Sequence, residues 1–236
     1  LTGSDHVVEP FARAVFIFTD STYEELKSSL KTPSSDNSTA EALQDHRDKV
    51  RKRTETPRSF AEALSMSELM DNLEADVLAY LYNPSRPQMF NAYIQGAKHK
   101  DLRFFLRGTG ALPELMSPEE VALINVDVGE NTDGIWYHSY LKDMVLRGDY
   151  TMAENKRSFQ PVNYVIEASL EGTRKLIAKA RVDLRCLIDG ERVVKFGLLQ
   201  DLRVGTVTDA AGQQIPFIQE DKRQDGSFYV ILPKPL

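Results

Sequence analysis

Between Lys175 and Ile188 the sequence KLIAKARVDLRCLI alternates without a break. Leu176, Ala178, Ala180, Val182, Leu184, Cys186 and Ile188 fall on one side. Ile177, Lys179, Arg181, Asp183, Arg185 and Leu187 fall on the other. Successive side chains of a strand point to opposite faces, so the pattern describes an antiparallel strand with one face packed and the other mostly wet. A helix would scatter the same residues around its circumference. Val162, Tyr164, Ile166, Ala168 and Leu170 supply the partner strand, and Glu171-Gly172-Thr173 the turn. On this register Val182 is a core residue and Asp183 a surface one. Val182→Asp is therefore expected to unfold the unit, and Asp183→Val is not.

The rest of the chain is more mixed. Its 236 residues, 42% apolar and 27% charged, suffice for one large domain or two small ones with a sizeable core. Ala14 to Phe18 reads as a buried strand. Three helix starts follow, Ser21/Glu24, Ser38/Glu41 and Ser65/Glu68, each with the spacing of a capping box. The third helix is expected to turn Met66, Met70, Leu73, Val77 and Leu81 inward and to stop near Asn83-Pro84. FNAYIQG and LRFFLR, within Phe90 to Phe105 and its flank, read as a hairpin. Ser117-Pro-Glu-Glu120 signals a short helix and VALINVDV another strand. Gly134 to Tyr140 is ambiguous and leans towards a helix ending at Gly148. Phe228 to Leu232 is a further strand. The polar stretch Asn155 to Pro161 marks the expected boundary. It separates an α+β unit, residues 1–155, from an antiparallel β domain, residues 156–236.

Chemistry is hard to find. A net charge of −6 disfavours nucleic acid as a partner. The basic run Arg47, Lys49, Arg51, Lys52, Arg53 reads as a solvated helix face rather than a phosphate-binding one. His6, His46, His99 and His138 are scattered, and none sits in an H-E-x-x-H helix. There is no Gly-x-Ser-x-Gly elbow and no phosphate-cradling glycine loop. Cys186, the only cysteine, excludes an internal disulfide and falls on the apolar face, where a thiol acts as a small hydrophobe. Asp127, Glu130, Asn131 and Asp133 form an acidic loop without the order of a calcium-binding hand. Trp136 and Tyr137 could stack a ligand, but aromatics at such a spot more often belong to a core. No catalytic, cofactor-binding or metal-ligating residue is assigned. No run of about eighteen apolar residues is long enough to span a membrane.

The chain begins Leu-Thr-Gly-Ser, with neither an initiator Met nor a signal-peptide pattern. It closes on Leu232-Pro-Lys-Pro-Leu236 directly after a strand-like run. Both ends are expected to be cuts in a longer protein.

The last third resembles the start of the N-terminal β domain of the M1 family of zinc aminopeptidases. The resemblance rests on VNYVIEASLEGTRKLIAKARVDLRCLIDGERVVKFGLLQDLRVGTVTDAAGQQIPFIQED followed by FYVILPKPL. Within it stand a Tyr-centred strand at Tyr164, the long alternating strand, a V-x-F-x-L strand from Val194 to Leu198, L-x-V-x-x-V-x-D-x-x-G from Leu202 to Gly212, and L-P-x-P-L from Leu232 to Leu236. The preceding part, with RTETPRSFAEALS, LRFFLR, SPEEVALIN and DGIWYHSYL, looks like the extra N-terminal region of some bacterial, notably acidobacterial, M1-like proteins. The resemblance implies a truncated β domain that covers the active site of a following thermolysin-like domain. Zinc and the catalytic Glu would lie there, so no cofactor is expected in this segment. The implied partners are that downstream catalytic domain and, through the intact protein, peptide substrate, and an exported location is favoured. The rival reading is a free-standing β-rich binding or adhesion module without enzymatic activity.

Overall fold

A computed structural model of the chain describes residues 8–30, 37–51, 73–86, 88–108, 110–111, 119–127, 132–148, 150, 158–172, 175–199, 201–219 and 227–236. The first apolar run forms β1 (Phe11–Phe18), the edge of a five-stranded antiparallel sheet. It pairs with β2 (Met89–Gly96), which continues through β3 (Leu102–Arg107), β4 (Val121–Asn125) and β5 (Gly134–Ser139) in simple order. From β2 onward each strand can take the next as neighbour because β-rich runs recur along the chain, whereas β1 reaches β2 across the helical segments between them.

One face of this sheet builds the core cluster of Phe105, Ala111, Ala122, Ile124 and Val126, with Tyr93 and Ile135 packed against it. Helix α2 (Asn37–Arg51) lies beside β1. Arg13 Nη1 meets Asp45 Oδ2 at 2.8 Å, and the His46 ring sits 4.4 Å from that of Tyr93. Burial drives the Tyr93 hydroxyl above the usual phenol range, against the lowering pull of Arg107 and Arg103. Register puts Phe16, Phe18, Phe90 and Phe104 on the other face, with ring centroids 5.8 to 6.3 Å apart along the row.

Helix α1 (Thr22–Lys27) follows Ser21, but the expected capping box does not form. Ser21 donates instead to Glu25 Oε1, and Asp20 Oδ1 takes the Thr22 N–H. An Asp two residues earlier satisfies the free donor more directly than a Ser–Glu pair. Helix α2 begins at Asn37, and the third expected start, Ser65/Glu68, lies outside the described residues.

Helix α3 (Leu73–Tyr82) ends just before Asn83-Pro84, as expected. Its buried side differs from the expected one, because Ala75, Ala79 and Tyr80 face inward while Leu81 is exposed. Met66 and Met70 are outside the described residues. The helix is apolar nearly all round, so its sequence does not select a face. Packing selects the small one, which lets the helix approach a sheet closely. That sheet is three-stranded, in the order β8 (Val193–Gly197), β10 (Ser227–Ile231), β9 (Phe217–Ile218). Ala75 and Ala79 pack on Val193 and Tyr229, with Ile218 alongside.

Two further expectations change. Gly134 to Ser139 is strand, and the helix α4 (Lys142–Arg147) starts only afterwards, ending at Gly148. Glu119 and Glu120 lead into β4 rather than forming a helix, and Ser117 and Pro118 lie outside the described residues. In β5, pairing with β4 supplies the ladder that GIWYHS does not advertise by its own pattern.

The alternating segment forms β7 (Lys175–Cys186), paired with β6 (Phe159–Glu171) in the expected register. Tyr164 faces Val182, Ile166 faces Ala180, Ala168 faces Ala178 and Leu170 faces Leu176. Gly172 turns the chain with φ of +66°, a conformation that disfavours any residue with a Cβ. Among the described residues no third strand joins these two.

Candidate functional site

The residues singled out in the sequence do not converge. His46 lies on α2 against Tyr93, and His99 is buried between β2 and β3 with its ring 4.6 Å from Trp136. His138 Nδ1 sits 3.2 Å from Glu119 Oε1 on the sheet's far strand, and His6 lies outside the described residues. In the acidic loop, Asp127 Oδ2 accepts the Lys100 N–H, while Glu130 and Asn131 fall outside the described residues. Trp136 donates its indole N–H to the Thr132 carbonyl at 2.7 Å and is half-buried, whereas Tyr137 is exposed. Cys186 is half-buried and donates to the Ile188 carbonyl. Of the basic run, Arg47 lies on α2, and Lys52 and Arg53 are outside the described residues. Among the described residues no three metal-capable side chains gather.

Two arrangements stand out instead. The first is a buried latch that joins α3 to the three-stranded sheet. The Asn83 side chain accepts the N–H groups of Arg192 and Val193 at 2.9 and 2.8 Å, and donates to the Val193 carbonyl at 2.7 Å. It thereby completes a strand end across 110 residues of sequence. Two residues on, Ser85 gives its N–H to Oε1 of Glu191, a side chain with no exposed surface, and Oε2 of that carboxylate has no hydrogen-bond partner among the described residues. On the other side of α3, Asp76 holds Arg86 at 2.7 Å and Arg107 at 3.4 Å. Burial alone would make Arg86 easier to deprotonate, but the charge and hydrogen bond of Asp76, together with Tyr229 and Tyr80, outweigh it and hold Arg86 more firmly protonated. Asp76 and Asn83 together fasten the five-stranded sheet, α3 and the β8–β10–β9 sheet. Sequence reading recognised Asn83-Pro84 only as a helix stop.

The second arrangement is the β6–β7 ribbon. Its apolar face carries Tyr164, Ile166, Ala168, Leu170, Leu176, Ala178, Ala180 and Val182, all set out by one continuous register. That face was expected to be packed. The structure corrects this, because Tyr164 is 53%, Ile166 64% and Leu170 74% exposed. Alternation fixes which residues share a face, but says nothing of whether a second layer lies over it. The opposite face pairs polar groups laterally: Glu171 with Lys175 at 2.8 Å, the Asn163 amide donating to Asp183 Oδ2 at 3.3 Å, and Glu167 opposite Lys179 in register. Acidic groups of this face thus lie mainly on β6. On β7, Lys175, Lys179, Arg181 and Arg185 outnumber the single Asp183.

At its base the ribbon is anchored by the Leu187 N–H to the Ser158 carbonyl and by the contact of the Ser85 and Ser158 hydroxyls. The same junction receives Leu236, which exchanges backbone bonds with Gly190 and Glu191. Among the described residues the arrangement gathers no ligand cage for a metal. It offers a long apolar face and two strand edges whose backbone groups are unpaired among the described residues. Comparisons with family models, with curated proteins and with solved structures give no match to this chain.

Proposed function

We propose that this chain is the non-catalytic N-terminal portion of an M1-like zinc metallopeptidase, an aminopeptidase in which it packs on a downstream catalytic domain and shapes substrate access. The ribbon is the observation that supports this reading. A soluble monomer rarely leaves so continuous an apolar face uncovered unless something else docks there. A twelve-residue ribbon two strands wide presents roughly 400 Å² per face. That is well below the roughly 800 Å² per partner of a standard stable complex, so a covalently linked neighbour suits it better than a free one.

The coding sequence beyond Leu236 tests the proposal. A helix bearing H-E-x-x-H with a further Glu ligand downstream, and zinc-dependent aminopeptidase activity of the longer polypeptide, would support it. A stop codon, together with a stable monomer that gains nothing from extension, would favour a free-standing binding module.

A further inference from the structure

The ribbon's two edges differ in charge, and that difference specifies what can pair with one of them. On the polar face of β7 stand Lys175, Ile177, Lys179, Arg181, Asp183 and Arg185, and its apolar face carries Leu176, Ala178, Ala180, Val182 and Leu184. Asp183 is already engaged by Asn163 and lies 3.8 Å from Arg181. The acidic residues Glu167 and Glu171 sit on the far strand. A strand added to the free edge of β7 would lie about 4.8 Å from the basic row and about 10 Å from the acidic one. Screening at physiological salt falls off over about 8 Å, so the near row dominates what the incoming strand meets.

We propose that the free edge of β7 is a strand-addition site for an extended segment of a partner polypeptide in which apolar and acidic residues alternate. The apolar residues would continue the Leu176–Leu184 face, and the acidic ones would stand beside Lys179, Arg181 and Arg185. Backbone bonding supplies the attraction common to any strand, and alternate side chains supply the selection. A second copy of this chain fits the edge poorly. Two β7 strands overlapped fully about Ala180 set Lys175 against Arg185 and Lys179 against Arg181, and only the Ile177–Asp183 positions between them escape a like-charge pairing. The proposal concerns the edge alone and stands whether or not the peptidase reading does.

The test uses the 236-residue chain at a concentration where sedimentation shows a monomer. Three capped peptides of about ten residues, long enough to span the strand, are titrated in: alternating valine and glutamate, alternating valine and lysine, and a scrambled valine–glutamate control. Hydrogen exchange of the β7 amides is the readout. The glutamate peptide is expected to protect β7 and to bind at least about tenfold more tightly than the lysine peptide, as several cross-strand charge pairs together imply. The double variant Lys179→Glu/Arg181→Glu, both solvent-facing, should stay folded with a slightly lowered melt, because Glu167 stands opposite position 179, and should reverse the preference. Equal protection by both charged peptides, or by the scrambled control, would overturn the proposal. So would the absence of protection by any peptide, or β7 protection that grows with protein concentration alone.

Discussion

At the scale of single residues, stability rests on a few polar groups that each serve several partners. Asn83→Ala would strip the buried carbonyl and N–H of Val193 and the partly buried N–H of Arg192 of their partners at once. We expect a loss of about 2–4 kcal/mol, read by denaturant titration, because unsatisfied buried groups cost more than a bond contributes. A change within about 0.5 kcal/mol would mean that water replaces the side chain without penalty. Glu9 acts similarly between β1 and the turn after β2. Burial pushes its carboxyl towards a higher pKa, but the N–H groups of Lys98 and His99, with the charges of those two residues, outweigh it and hold the group below the usual carboxylate range. A depressed folded value means that the unfolded chain takes up the proton first. The stabilisation is therefore fully present above the ordinary Glu value and is lost as pH falls through the folded one. Melting curves of the native chain and Glu9→Gln should differ at neutral pH and converge on acidification. A gap independent of pH would show that the charge of Glu9 plays no part.

At the scale of elements, period-two patterns were legible in the sequence and helix faces were not. The register of β6 on β7 followed from alternation, because a slip of one residue would have exchanged Val182 for Asp183 on the apolar face. The hairpin of β2 and β3 was legible for a related reason, with β-rich runs on both sides of a polar loop. Helix α3 resisted, since LEADVLAYLY has apolar residues on every side and only the neighbouring sheet selects Ala75 and Ala79. β5 resisted because its ladder is set by β4. In the candidate site, the segregation of basic residues onto β7 followed from sequence once the pairing was known, whereas the exposure of the apolar face depends on what lies above it. That exposure changes one expectation. Val182 is half-buried beside Tyr164, with solvent close by, so Val182→Asp should cost only about 1 kcal/mol in this chain rather than unfold it. Thermal melts of Val182→Asp and Asp183→Val measure it, and collapse of the first variant alone would mean that the face is covered in solution.

At the scale of the whole molecule, an uncovered apolar ribbon predicts association through its face, the basic edge of β7 being a poor match for a second copy. Sedimentation should show reversible self-association that rises with concentration, and Ile166→Lys with Leu170→Lys should suppress it, since both side chains are mostly exposed. A chain that stays monomeric throughout would show that the face is harmless in water. The latch at Asn83 has a consequence of another kind, in the order of events during synthesis. A ribosome delivers α3 long before it delivers Arg192 and Val193, the residues whose backbone completes the Asn83 bonds. During that interval Ala75 and Ala79 have neither Val193 nor Tyr229 to lie on. The helix must wait as a tethered, partly greasy segment until the last fifth of the chain has emerged. Assembly therefore starts from the β1–β5 meander, whose pairings are mostly between neighbours in sequence, and closes only after translation has nearly finished.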